Sequence, residues 1–291
     1  MNEVVQYTVQ GLAAGSFYAL AALGLAIIFG VLGVVNFAHG AFYMLGAVAS
    51  AVLLAETSGW LNLWWALLVV PVLMFLFGVL IERVLVQWLL PLDPLYNFLL
   101  TFGVTLLLVD LVKRRYGVSG LPYSRPDILQ GRLELFGVGL PRYQVFVLVV
   151  SLLVCLVVWL LMTRTRIGMI VRASTEKPDL ARALGINVGR WVTPVFGFGV
   201  ALAGLAGVLA APFRAITADM GSNFIIILFA VVVIGGLGSI VGAVVAGFLV
   251  GLVEAFGQAY APTFAQILIF ALMAVVVLVR PAGLFGREEA A

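Results

Sequence analysis

Apolar runs of about 20 residues, the length that crosses a bilayer core as a helix, follow one another along this chain with little polar sequence between them. Inside lipid every backbone N–H and C=O group must find its partner within the protein, so a run of that length can only be helical. Composition agrees. Of 291 residues, 64% are hydrophobic and 10% charged, whereas a soluble domain carries about 25% charge. The expected fold is all-α, a polytopic transmembrane helical bundle forming one domain over 1–291. Its spans lie near 8–30, 37–55, 62–82, 97–113, 144–162, 192–212, 223–237, 240–258 and 264–280. The count is eight or nine, because 223–258 reads either as two short spans or as one long, broken or re-entrant one. The stretch "FLFGVLIERVLVQWLLPLDP" ends in an interfacial helix, with Trp88 at headgroup depth. The first span serves as its own targeting signal, since no small-residue cleavage site follows a short apolar core.

Two polar segments interrupt the pattern. Residues 114–143 are rich in Gly and Pro with short apolar patches, which suggests an ordered extramembrane loop with a small hairpin. Residues 163–191 carry six basic residues against two acidic ones. That excess of positive charge places the loop on the cytoplasmic side and 114–143 on the extracytoplasmic side. Within the basic loop, "PDLARALGINVGRW" has Pro178 and Asp179 as a helix start. Ala181, Ala183 and Gly185 then give a short amphipathic helix a small-residue face, and Asn187 and Gly189 close it.

Chemistry is sparse. His39 is the only histidine and Cys155 the only cysteine, so no metal site is expected. There is no nucleophile elbow, no Ser/His/acid set and no phosphate loop. The chain is therefore not expected to be an enzyme or to hydrolyse ATP, and it needs no cofactor of its own. A net charge of +3 is too small to suggest nucleic acid. What remains is polar residues in apolar surroundings. In "GVLGVVNFAHGAFYMLGA", Gly30, Gly33, Asn36, His39 and Gly40 break sequence that should be embedded. Such a break is tolerated where it faces protein or a water-filled cavity. It is either a half-helix lining a substrate path, or a turn in which Asn36 caps the next helix and His39 bonds a neighbouring one. Asn97 and Thr101 are further path candidates at a span start. Asp110 and Lys113 share a helix face and are expected to pair. Glu254 is the deepest isolated acid, a candidate for function by its position. The small residues of 197–213 and 235–247 point to close helix packing. "GVVNFAHGAFYMLGAVASAVL" and "GGLGSIVGAVVAGFLVGL" are faintly alike, as an inverted repeat would be.

Asp179-Leu180-Ala181 followed by Gly185 resembles the "EAAxxxG" loop of ABC importer permeases, with Asp for Glu and Leu for the first Ala. Together with "GLAAGSFYALAALGLAIIFGVLGVVNFAHGAFYMLGA", "GGLGSIVGAVVAGFLVGLVEA" and the terminal "RPAGLFG", in that order along nearly the whole chain, it is similar to the LivH-type permeases of branched-chain amino acid ABC transporters. The resemblance implies import of leucine, isoleucine or valine across the cytoplasmic (inner) membrane of a prokaryote. It implies a second, related permease subunit, two cytoplasmic ABC ATPase subunits that use the ATP, and an extracytoplasmic substrate-binding protein. It implies that Asp179, Ala181, Gly185 and Asn187 belong to a coupling helix that docks on an ATPase. Urea and short-chain amide importers share the pattern. The alternative class is a secondary carrier or channel working without ATPases.

Overall fold

The computed structural model describes residues 2–33, 35–56, 63–90, 92–123, 127–135, 138–176 and 178–286. Eleven helices are labelled here in chain order: α1 (Asn2–Leu32), α2 (His39–Glu56), α3 (Leu63–Leu89), α4 (Pro94–Tyr116), α5 (Arg142–Arg164), α6 (Arg166–Glu176), α7 (Pro178–Ala183), α8 (Val188–Ala210), α9 (Met220–Gly235), α10 (Ile240–Tyr260) and α11 (Ala265–Val279). Among the described residues, eight helices are long and apolar enough to cross a membrane. The region 223–258 is two helices, parted at Gly236 and Gly238, whose φ angles of 100° and 78° suit residues without a Cβ. The 16 residues of α9 give a rod of about 24 Å at 1.5 Å per residue, short of a full crossing.

Local chemistry sets several of the ends. Asp93 accepts a hydrogen bond from the Leu95 N–H at 2.8 Å with Pro94 in the first helical position, and Ser239 accepts from the Gly242 N–H at 3.1 Å. Both satisfy donors that a helix start leaves open. The expected interfacial helix after residue 82 is absent: α3 runs unbroken to Leu89 through a π-helical turn at Glu82–Val86. One extra residue in the turn keeps the backbone bonded while it changes which side chains face inward. In the 114–143 segment, β1 (Arg132–Leu135) and β2 (Val138–Pro141) form the expected hairpin. Leu121 N–H bonds the Ile216 carbonyl at 2.9 Å, which ties this loop to the α8–α9 connection. The hairpin thus marks one face of the bundle, and α6 with α7 marks the other.

Helices α1 and α8 form the centre, each with 78% of its apolar window buried. The outer helices α3, α4, α5 and α11 expose leucines such as Leu68, Leu107 and Leu278, as lipid-facing helices do. Glycine sets the spacing of the centre. A Cβ on Gly24 would lie 2.6 Å from the Gly199 carbonyl oxygen, and one on Gly199 would lie 2.7 Å from that of Gly24. Gly40 and Gly221 block each other in the same reciprocal way. Gly11 and Gly15 of α1 sit against the Cα atoms of Leu252 and Phe248 of α10, where an added carbon would approach to 2.9 and 2.8 Å. Gly78 of α3 meets Gly197 and Val200 of α8.

These contacts relate α1–α3 to α8–α10 with opposite polarity. Gly24 meets Leu202 while Ile28 meets Gly199, so α1 and α8 are antiparallel; Gly40 meets Ile225 while Gly221 meets Met44, so α2 and α9 are too. In each half a long central helix is followed by a break, a half-helix and a helix that packs on the other half's partner element. The inverted repeat exists, but it pairs 33–53 with the region after α8, not with 235–252. The segment "APFRAITAD" at 211–219 holds no glycine, so its equivalence to the first break is invisible to composition. Another expected contact also differs. Asp110 pairs with Arg114, one helical turn on at 2.6 Å, and Lys113 reaches Asp219 at 2.8 Å, because an i,i+4 partner lies more nearly above Asp110 than i+3 does.

Gly251→Leu should collapse the α1–α10 crossing, since a side chain there overlaps the backbone of Gly11 and Gly15. Overpacking of this kind costs about 1–3 kcal/mol, read as a lower melting temperature in detergent. Gly103→Ala, with nothing within 4 Å, should leave that temperature unchanged or raise it.

Candidate functional site

The first break is assembled from three hydrogen-bonding side chains. α1 ends at Gly33, whose φ is 67° and whose N–H bonds the Phe29 carbonyl at 2.8 Å. The chain then turns back into the bundle. Asn36 Oδ1 accepts from the Ala38 N–H at 3.0 Å, so Asn36 caps the start of α2 as the sequence suggests. His39 Nε2 lies 3.0 Å from the Ala21 carbonyl. A carbonyl only accepts, so Nε2 carries the proton and Nδ1 is an acceptor. Ala21 is 11 residues before the end of α1, about 16 Å along its axis. The N-terminus of α2 therefore opens deep inside the bundle. Phe37 N–H bonds Thr101 Oγ1 on α4 at 3.3 Å, and its ring meets Phe98 edge-on at 4.7 Å. Asn97 Nδ2 donates to the Leu89 carbonyl at 3.1 Å, which joins α4 to the end of α3.

Four buried polar atoms in this region have no hydrogen-bond partner among the described residues: Asn36 Nδ2, His39 Nδ1, Tyr43 Oη and Asn97 Oδ1. Each such group costs about 1–3 kcal/mol. Asn36, His39 and Tyr43 fall at i, i+3 and i+7, on one side of the α2 start. Gly40 is pressed against Gly221 where the two helices cross.

The second break carries charge. Glu254 is not isolated: its Oε2 accepts from Tyr18 Oη at 2.6 Å, and its Oε1 accepts from Gln258 Nε2 at 3.2 Å. Arg214 Nη2 lies 3.2 Å from Tyr18 Oη and 3.4 Å from Glu254 Oε1. Sequence reasoning missed Arg214 because it lies between spans, where a basic residue attracts no notice. Burial works against its charge, but Tyr18, Tyr43 and Glu254 around it more than compensate, so its pKa is held above the usual arginine value. The ring of Phe224 stacks on Tyr43 at 3.9 Å and on Tyr18 at 5.5 Å, and joins the two breaks through one aromatic column.

The basic loop is more helical than expected. α6 precedes α7 and packs on it, and α7 in turn touches α8. Gly185, at φ 83°, ends α7, with Ile186 N–H bonded to the Ala181 carbonyl at 2.9 Å. Asn187 does not close this helix. It caps the next one, its Oδ1 accepting from the Arg190 N–H at 3.2 Å. Ala181 is buried against the protein itself, whereas Leu180 of α7 and Leu184, just past its end, are 56% and 81% exposed. The side chain of Asp179 lies outside the described residues. Glu82 in the π-helical turn is buried, with Oε2 unpartnered among the described residues. No group of three or more metal-ligating residues occurs among the described residues.

Oppositely directed short helices that begin inside a polytopic bundle, beside unpaired polar groups, are an arrangement that transport proteins use. Residues 7–277 match the family described as branched-chain amino acid transport system / permease component, and the chain belongs to it. It is 31% identical to the high-affinity branched-chain amino acid transport system permease protein LivH of Escherichia coli (strain K12), over 99% of both chains. It is 32% identical, again over 99% of both, to BraD of Pseudomonas aeruginosa, which carries the same description. The autoinducer 2 import system permease protein LsrD of Salmonella paratyphi B is 30% identical over 47% of this chain and 41% of its own. No solved structure matches the chain.

His39→Leu should leave the Ala21 carbonyl without its donor and lower stability by about 1–3 kcal/mol, visible as a reduced melting temperature. His39→Gln, which keeps a donor, should recover most of it.

Proposed function

We propose that this chain is the permease subunit of an ATP-driven importer of leucine, isoleucine and valine in the cytoplasmic membrane of a prokaryote. The observation that carries the reading is end-to-end similarity to LivH and BraD. The working unit pairs this chain with a second, related permease, two cytoplasmic ABC ATPases and an extracytoplasmic binding protein. ATP is used by the ATPases, and this chain needs no cofactor. The six basic residues of 163–191 favour a cytoplasmic α6–α7 face, which leaves the hairpin outside.

Coupling follows from how α7 is held. Leu180 on its exposed side and Leu184 just past its end fit an apolar groove on an ATPase, while buried Ala181 seats the helix on the bundle. Asp179 favours the helix N-terminus, Gly185 ends it, and Asn187 starts α8 two residues later. A push on α7 is passed to α8, and from α8 to α1 and α2 through the Gly199 and Gly207 contacts. Rocking of this kind moves the two half-helices between outward and inward arrangements. Asn36, His39, Asn97 and Thr101 line the substrate path at the first break, with Gly40 as its close-packed pivot and Glu254 on the outer side.

Purification of the tagged protein from its native cells in mild detergent, followed by mass spectrometry, should recover two Walker-motif ATPases and a second permease. Recovery of this chain alone would sink the importer reading in favour of a carrier without ATPases. The double variant Leu180→Glu, Leu184→Glu should cut ATPase recovery by about tenfold or more, since burying each leucine contributes about 1.5–3 kcal/mol. Gly185→Val, forced into a backbone region that costs about 1–3 kcal/mol without glycine, should insert normally yet lose uptake.

A further inference from the structure

On the hairpin side of the bundle, a cavity of about 820 Å³ opens between α1, α5, the α8–α9 connection, α10 and α11. Its lining divides by chemistry. Arg214 and Glu254 stand together in it, with Gln10, Gln144, Gln258 and Gln266 around them. Phe17 and Phe213 supply an apolar wall, their rings meeting edge-on at 5.4 Å. A volume of several hundred Å³ with a few convergent polar groups is the ordinary form of a small-molecule site.

Two details point to the ligand. The Arg214–Glu254 pair is joined by one long contact of 3.4 Å, through one guanidinium nitrogen and one carboxylate oxygen. Among the described residues the guanidinium's only other bond is to Tyr18, so most of its donor fork is free. A guanidinium binds a carboxylate best through two parallel bonds. Second, Gln144 lines this cavity, and its Oε1 is a buried acceptor with no donor among the described residues, within reach of the cavity by a turn of the side chain. A cationic donor arriving beside Glu254 would satisfy it. One ligand class offers a carboxylate and an ammonium a few ångströms apart: the α-amino acid zwitterion.

We propose that this cavity is an outer vestibule that receives a free α-amino acid, with its carboxylate on Arg214, its ammonium between Glu254 and Gln144, and its apolar side chain against Phe17 and Phe213. The ligand replaces the long internal ion pair with two well-formed ones. Below it lies the Tyr18–Phe224–Tyr43 column, which leads towards the first break. The proposal rests on amino acid import as the function of the chain. It favours zwitterions over urea or amides, which lack the carboxylate.

The test is saturation-transfer NMR on the full chain in lipid nanodiscs, with three probes: L-leucine, leucinamide and 4-methylpentanoate. L-Leucine should give a saturable signal on its methyl groups. Leucinamide, without the carboxylate, and 4-methylpentanoate, without the ammonium, should each give a signal at least severalfold weaker. Arg214→Gln should erase the preference for leucine over leucinamide, and Glu254→Gln its preference over 4-methylpentanoate. Gln144→Leu leaves the ion pair intact, guards against misfolding of the charge variants, and should also weaken the leucine signal. Equal signals from all three probes, or an unchanged leucine signal in the variants, would overturn the vestibule. So would variants that bind leucine normally and lose only docking of the binding protein, which would make the cavity a protein contact. Leucine uptake by cells carrying the whole native transporter separates the two readings. Absent uptake by the unaltered protein refutes the proposed substrate. Normal uptake combined with any of the contrary NMR results refutes the vestibule alone.

Discussion

A backbone that stops being helical inside a bilayer must find other partners for its N–H and C=O groups, and most of this structure follows from where it does so. The first break is enclosed by protein, and the second lies beside a cavity. At the first, the side chains of Asn36 and Thr101 take the place of carbonyl acceptors for the Ala38 and Phe37 N–H groups. At the second, the connection from α8 to α9 is held to the hairpin loop by Leu121 and to α4 by the Lys113–Asp219 pair. The central helices α1 and α8 are buried because they shelter these breaks. The outer helices present apolar side chains outward because they face lipid.

The inverted repeat turns one device into two. The first break presents uncharged groups, Asn36 and His39, deep in the bundle. The second presents Arg214, opposed by Glu254, on the hairpin side. The difference follows from depth. A charge in a fully enclosed site needs a strong partner, whereas Arg214 remains partly exposed beside a cavity, with its side chain 39% accessible. The two breaks thus share a geometry and differ in chemistry.

The helices were legible in the sequence because their signal is long and local: twenty apolar residues admit no other structure. The cap at Asn36 and the hairpin near residue 132 were legible for the same reason, since glycine, proline and asparagine act on their own neighbourhood, whereas the glycines of 223–258 were compatible with two short spans or one broken one. What escaped was long-range. Tyr18 and Arg214 are 196 residues apart, and no local pattern connects them to Glu254. Ala181 looked like an outward face because small residues fit grooves, but on so short a helix only tertiary contact decides which side is seated. The π-helical turn in α3, which buries Glu82, was hidden because an inserted residue leaves an apolar run looking unbroken. The repeat was sensed from composition and assigned to the wrong segment, since glycine-rich helices resemble one another whatever their place in the fold.

The glycine crossings have a mechanical side. Where side chains interlock, two helices can move past each other only by leaving one set of notches for the next, in steps. Where Gly24 faces Gly199, and Gly40 faces Gly221, backbone comes down on backbone with few teeth to disengage, Ile28 and Leu202 at the first crossing and Met44 and Ile225 at the second. Such a contact fixes the distance between two axes while leaving the angle between them free to vary smoothly. The centre of this protein is therefore a set of plain bearings, and the interlocked leucines and phenylalanines around it are the housing in which they turn.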